Sequence, residues 1–179
     1  MQRRYCELRR PGNAGRGADR RRPHQVSSKG PAAQSKGTLD GIRVLLVDDD
    51  KDIGEVLQFV LESQGAVVAF ANSVAEALTA IERSLPNVLL SDIAMPGDTG
   101  YDLMRKIVAR RGAEAPPAAA ISAYAGGREL REALASGFQV LLTKPIEPAA
   151  LIAAVKELAL ANTAADNDAV PAELESERR

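Results

Sequence analysis

The sequence predicts an α/β architecture, an open parallel sheet covered by helices. Three observations carry that expectation. Between about Leu39 and Asn162, strand-like apolar runs alternate strictly with amphipathic helical patterns. Four of those runs close on polar residues: Asp48-Asp49-Asp50 after IRVLLV, Asp92 after NVLLS, Ser122 after AAAI, and Lys144 after QVLLT. Gly, Pro and capping residues mark the junctions between the runs.

The elements follow in order. Ile42–Val47 reads as the first strand. A helix begins near Asp52, with Glu55 completing a capping box, and shows Ile53, Val56, Leu57, Val60 and Leu61 on one face. Gly65 is placed to end it as a left-handed cap. Val67–Phe70 is the second strand. Ser73 and Glu76 form a capping box before a helix bearing Val74, Ala77, Leu78 and Ile81. Val88–Leu90 is the third strand, and the turn from Met95 to Gly100 leads to a helix with Leu103, Met104 and Ile107. Pro117–Ile121 is the fourth strand, and a helix over about 128–136 ends at Gly137. Val140–Leu142 belongs to the fifth strand. The last helix starts near Pro148 and buries Leu151, Ile152, Val155 and Leu158. Strand order does not follow from the pattern. Both common doubly wound orders leave a crevice beyond the carboxyl ends of the strands.

Composition narrows the function. The chain has 179 residues and is 45% hydrophobic, enough for one domain with tails, but only 3% aromatic. Aromatic stacking platforms for single-stranded nucleic acid are therefore not expected. Charge is uneven along the chain. Residues 1–40 carry ten Lys/Arg against three Asp/Glu, whereas residues 41–163 carry eleven against sixteen. Residues 1–38 lack periodicity and are expected to be a disordered basic extension. Residues 164–179 form an acidic tail, also expected to be disordered. Cys6 is the single cysteine, so an internal disulfide is excluded. No apolar run reaches membrane-spanning length, and MQRRYCELRR lacks a signal-like core, so a cytoplasmic location is expected.

The rim of the sheet carries the chemistry. Asp48, Asp49 and Asp92 would lie close together at the ends of neighbouring strands. Two like charges 4 Å apart repel by about 4 kcal/mol at an effective dielectric near 20. A cation or a bound proton must relieve such a cluster. Hard oxygen donors without nearby His or Cys favour Mg²⁺ over zinc, and no twelve-residue calcium loop is present. A helix-dipole role accounts for Asp50 and Asp52 but leaves Asp92 unexplained. Lys144 and Ser122 read singly as a snorkelling lysine and a small strand-end residue. Together with the acids they suit a phosphoryl group. His24, the single histidine, sits in RRPHQ without helical context. A phosphoryl group would therefore arrive from another molecule.

The segments VLLVDDD, LLSDIAMPGDTGYDL, ISAYA and LLTKPIEP, in that order over roughly residues 40–160, resemble the receiver domain of two-component response regulators. The resemblance implies a flavodoxin-like (βα)5 fold over residues 39–163, with a five-stranded parallel sheet in order 2-1-3-4-5. It implies that Asp92 accepts a phosphoryl group from a histidine kinase or histidine phosphotransfer protein. Asp48, Asp49, Asp92 and the carbonyl of Ala94 would hold Mg²⁺, and Ser122 and Lys144 would bind the phosphoryl oxygens. Such a protein is a signalling phosphoprotein rather than an enzyme acting on a separate substrate. Where the family usually carries an aromatic switch residue in the fifth strand, this chain has Leu141. Tyr124, two residues past Ser122, borders the phosphoryl position.

No DNA-binding output domain is expected after residue 163, so output would run through protein contacts. AGFQVLLTKPIEP is also similar to receivers of hybrid histidine kinases, and a phosphate sink is a further alternative. A haloacid-dehalogenase-like phosphatase would use Asp48 as nucleophile in an Asp-x-Asp pattern with Asp50. Lys51-Asp52 stands where that family has Gly-Thr. A dinucleotide-binding module fails for want of a Gly-rich turn after the first strand.

Overall fold

The computed structural model describes residues 37–124 and 126–168. Five strands and five helices alternate: β1 (Arg43–Val47), α1 (Lys51–Ser63), β2 (Val67–Ala71), α2 (Val74–Arg83), β3 (Val88–Asp92), α3 (Gly100–Arg111), β4 (Ala118–Ser122), α4 (Gly127–Ser136), β5 (Val140–Thr143) and α5 (Pro148–Asp168). A single 3-10 turn, Gly112–Glu114, follows α3. All strand pairs are parallel, in the order β2-β1-β3-β4-β5. This is the flavodoxin-like order that the resemblance implies.

The period-2 geometry of the strands divides the core into two layers. Leu45, Val47, Leu89, Ala118 and Ala120 face α2, α3 and α4, packing with Ile81, Leu103, Ile107 and Phe138. The alternate residues Val44, Leu46, Val88, Leu90, Ala119 and Ile121 face α1 and α5, packing with Leu57, Leu61, Leu151 and Val155. Burial on both faces explains why the strands read as continuous apolar runs rather than alternating ones.

Several local expectations need correction. Asp50, not Asp52, caps α1: its carboxylate accepts from the amides of Asp52 and Ile53 at 3.0 and 3.2 Å. The helix already starts at Lys51, which leaves Asp50 in extended geometry at its mouth. Ser73 does cap α2, accepting from the amide of Glu76, but the Glu76 carboxylate reaches back to the amide of Asn72. The reciprocal box forms instead at α3, between Thr99 and Asp102.

At either end of the expected domain, 39–163, the described structure continues to Gly37 and Asp168. Gly37 and Thr38 belong to it. Asp40 N–H donates to Gly37 O, and a Cβ on Gly37 would lie 2.0 Å from Gln64 O. Leu39 is fully buried and donates its amide to Gln64 O at 2.9 Å. Helix α5 runs to Asp168, through a last stretch, Thr163–Asp168, in which Ala164 and Ala165 are the strong helix formers. The rest of the expected basic extension (1–36) and of the acidic tail (169–179) lies outside the described residues.

Gly65 (φ 90°) and Gly137 (φ 107°) end α1 and α4 as expected. Gly100 is constrained differently. A Cβ there would lie 2.2 Å from the carbonyl oxygen of Asp92. The start of α3 is thereby seated directly against the end of β3, and that oxygen belongs to backbone that cannot rotate away. Gly100→Ala is expected to lower stability by about 2 kcal/mol, as overpacking does. Its urea midpoint should fall with little change in slope.

Candidate functional site

Register brings the four strand ends to one rim. Val47 pairs with Ser91, so the next residues, Asp48 and Asp92, leave neighbouring strands side by side. Asp92 pairs with Ile121, and Ser122 with Thr143, so Ser122 and Lys144 follow one step on. The amide of Lys144 donates to the carbonyl of Ser122 at 2.8 Å, which ties the last two together.

The acids form one cluster. Carboxylate oxygens of Asp48, Asp49 and Asp92 all lie within 4.8 Å of one another. Asp48 and Asp92 are buried and Asp49 is exposed. Lys144 Nζ bridges the two buried acids, 2.6 Å from Asp92 Oδ2 and 3.1 Å from Asp48 Oδ2. The remaining carboxylate oxygens accept from backbone. Asp50 N–H donates to Asp48 Oδ1 at 2.9 Å, and Ala94 N–H to Asp92 Oδ1 at 3.1 Å. Ser122 is buried, and its hydroxyl accepts from the Tyr124 amide at 3.1 Å. Tyr124 itself is 72% exposed at the rim. The structure thus brings together Asp48, Asp49, Asp92 and Lys144. Ser122 stands beside them with its hydroxyl engaged in its own loop, and Ala94 meets Asp92 through its amide.

Burial raises the Asp48 pKa, and hydrogen bonds from Asp50 and Lys144 return only part of that cost. Burial alone would lower Lys144, but its bonds to Asp92 and Asp48 outweigh it and the ammonium is held above its usual range. The ammonium therefore gains from the pairing while Asp48 remains unfavourably placed when charged.

A groove of about 660 Å³ opens beside this cluster, lined by Asp52, Ile53, Val56, Leu57, Lys144, Pro145 and Ile146. Lys144-Pro145 is a cis peptide. Val56 and Phe59, on the same helix, are 63% and 73% exposed.

The family model of the response regulator receiver domain matches residues 44–156, which include every member of this cluster. The chain belongs to the response regulator receiver family. It is 43% identical over 124 residues to an uncharacterized 14.6 kDa protein of Leptolyngbya boryana, covering 69% of this chain and 95% of that one. It is 32% identical over 114 residues to the DNA-binding response regulator MtrA of Mycobacterium leprae (strain TN), covering 64% of this chain and 49% of the relative. The receiver thus spans about half the length of MtrA. Among solved structures, a CheY-like receiver domain protein of Methanospirillum hungatei JF-1 superposes with a TM-score of 0.64 at 28% identity, covering 70% of this chain and 99% of that one. The chemotaxis response regulator CheY4 of Vibrio cholerae, at 24% identity and a TM-score of 0.62, shares the fold over 66% of this chain and 98% of its own. Receiver domains are signalling proteins that generally bind Mg²⁺ at such an acidic cluster and interact with histidine kinases or phosphotransfer proteins.

Two features of this receiver escaped sequence reasoning: the close approach of Gly100 to Asp92, and Asp50 as the cap that orients the acid run. The run of aspartates from Asp48 to Asp52 signalled a cap but not which acid supplies it.

The raised Asp48 pKa has a defined sign. The folded protein holds the Asp48 proton more tightly than the unfolded chain, whose reference is 3.8. Its favourable contribution is present below that reference and is lost as pH rises through the folded value. Without divalent cations, Asp48→Asn is therefore expected to melt above the unsubstituted protein at neutral pH, the gap closing as pH falls toward about 4. Thermal melts across pH in chelator check this, and a lower melting temperature at neutral pH would contradict it.

Proposed function

We propose that this receiver accepts a phosphoryl group on Asp92 from a phosphohistidine of a kinase or phosphotransfer protein. The arrangement that carries the reading is the Lys144 ammonium shared between the buried Asp48 and Asp92 carboxylates, with exposed Asp49 completing an all-oxygen cluster. The donor set fits Mg²⁺: three carboxylates and no His or Cys. Asp48, Asp49, Asp92 and the carbonyl of Ala94 would hold it. When bound, Mg²⁺ supplies positive charge that offsets the negative charge collecting on the transferring oxygens.

The chain's own residues do the rest. An Asp92 carboxylate oxygen attacks phosphorus, forming a P–O bond. The P–N bond of the donor breaks, and its electron pair stays on the imidazole nitrogen. Lys144 stays within reach of Asp92 and neutralises a phosphoryl oxygen, and Ser122 turns its hydroxyl from the Tyr124 amide to a second one. Such transfer needs positioning and charge neutralisation more than covalent assistance. The product is an acyl phosphate that water can hydrolyse. Pulling Ser122 inward is a local charge event that biases the loop before α4. The apolar groove along α1 and the Lys144-Pro145-Ile146 turn lies where a helical partner bearing the histidine would approach. The same reading assigns the protein to the cytoplasm and its output to protein contacts. The phosphatase reading would need Gly-Thr where this chain has Lys51-Asp52, which disfavours Asp48 as a nucleophile.

Incubation with Mg²⁺ and acetyl phosphate should give a single acid-stable, base-labile phosphoryl adduct that peptide mass spectrometry maps to Asp92. Asp92→Asn should abolish it, and an adduct on Asp48 would overturn the reading. Tyr124 is largely exposed and its amide donates to Ser122, so in this reading its ring would screen the bond to be hydrolysed. Tyr124→Ala is expected to speed dephosphorylation several-fold, roughly the effect of about 1 kcal/mol on a barrier. An unchanged decay of the adduct after donor removal would argue against that role.

A further inference from the structure

The helix after Asp92 is clamped to it. Gly100 N–H donates to Ile93 O at 3.0 Å, and its Cα packs where no Cβ would fit against the Asp92 carbonyl. The next residue, Tyr101, is 9% exposed and belongs to the core layer that includes Met104, Ala133 and Phe138. Its hydroxyl donates to the backbone carbonyl of Glu129, in the first turn of α4, at 3.5 Å. Burial, then the carboxylates of Glu132 and Glu129, raise its phenol above the usual tyrosine range, so it stays a neutral donor.

Besides this bond, α4 is held by buried Ala133 and by a half-exposed Arg105–Glu132 ion pair at 3.8 Å. Its cap residue, Gly126, offers no side-chain hydrogen bond, and a second glycine, Gly127, follows. The Ser136 hydroxyl in its last turn is buried without a hydrogen-bond partner. Leu130 and Leu134 leave its outer face 43% and 51% exposed. On the adjoining strand, Leu141 is aliphatic and has no polar group to bond α4.

We propose that Tyr101 couples the state of Asp92 to the first turn of α4, as a positioning residue whose bond to Glu129 is made in the unloaded receiver and released in the loaded one. The inference rests on the phosphoryl-acceptor reading. Tyr101 moves with α3, and α3 moves with the Asp92 backbone. The start of α4 instead follows Ser122 through the short connection beginning at Ala123. A load on Asp92 that draws Ser122 inward shifts one end of the Tyr101–Glu129 bond and not the other. At 3.5 Å the bond is already at its geometric limit, so a sub-ångström shift breaks it.

The test uses the full chain with Mg²⁺ and beryllium fluoride as the phosphoryl mimic. Loading is read as a rise in melting temperature that Asp92→Asn abolishes. Hydrogen exchange at the α4 amides from Leu130 to Ala133 reads the coupling. In the unsubstituted protein, loading is expected to speed that exchange about five-fold, the effect of losing one modest hydrogen bond. In Tyr101→Phe, which keeps the ring, exchange should be fast before loading and unchanged by it, while the melting-temperature rise persists. Slow exchange that still quickens on loading in Tyr101→Phe would overturn the coupling and leave the acceptor reading standing. No loading of the unsubstituted chain would overturn both. A second readout needs no substitution at Tyr101. With ring-labelled tyrosine, and Tyr5→Phe and Tyr124→Phe to leave one signal, the Tyr101 Cζ resonance should shift on loading. A stationary signal would also overturn the proposal.

Discussion

Two buried carboxylates, Asp48 and Asp92, end neighbouring strands and share one ammonium. Their oxygens lie within 4.8 Å of each other, and at that limit and an effective dielectric near 20 two such charges repel by about 3 kcal/mol. Lys144 relieves that repulsion in the absence of any other cation. A Lys in this position is flexible enough to reach both acids and to give way to a competing charge, which a rigid Arg fork would not do as readily. The site is therefore held by a counter-charge that can be exchanged, and Asp48 keeps a residual cost that any added cation would relieve.

That cluster exists because the sheet delivers it. Parallel register sets the ends of β1, β3, β4 and β5 one step apart, and the two-sided core leaves the strands no freedom to slip. A shift of one residue would exchange Leu45 and Val47 for Val44 and Leu46 on the α2–α4 face and turn Asp48 toward the opposite layer. The three alanines of β4 are fully buried. They leave space for Leu89, Leu103 and Leu151 on either side, which matters in a chain with few aromatic residues to fill its interior.

The sequence made some of this readable and hid the rest for identifiable reasons. The strands and the polar residues that close them were legible because continuous apolar runs ending in Asp, Ser or Lys have a local signature. Strand order was not legible from periodicity, since both doubly wound orders share it, and it came only with the resemblance. Helix starts were shifted by one or two residues wherever several acids compete to cap, as at Asp50 and Asp52. Gly100 looked like a turn residue, because nothing in its neighbours reveals that the Asp92 carbonyl lies against it. Tyr101 carried no signal of its own in the sequence. Its hydroxyl finds Glu129, 28 residues away, through tertiary packing alone.

Lys144 also joins two surfaces that the sequence presents separately. Its ammonium lies in the acid cluster, while it lines the apolar groove with Pro145 and Ile146 against Ile53 and Val56 of α1. Asp52 borders the same groove and donates its amide to Asp50, whose own amide donates to Asp48. A body seated in the groove thus meets Lys144, one bond from both buried acids, and Asp52, two bonds from Asp48. Charge at the rim and contact at the groove are coupled, because the Lys144 side chain belongs to both.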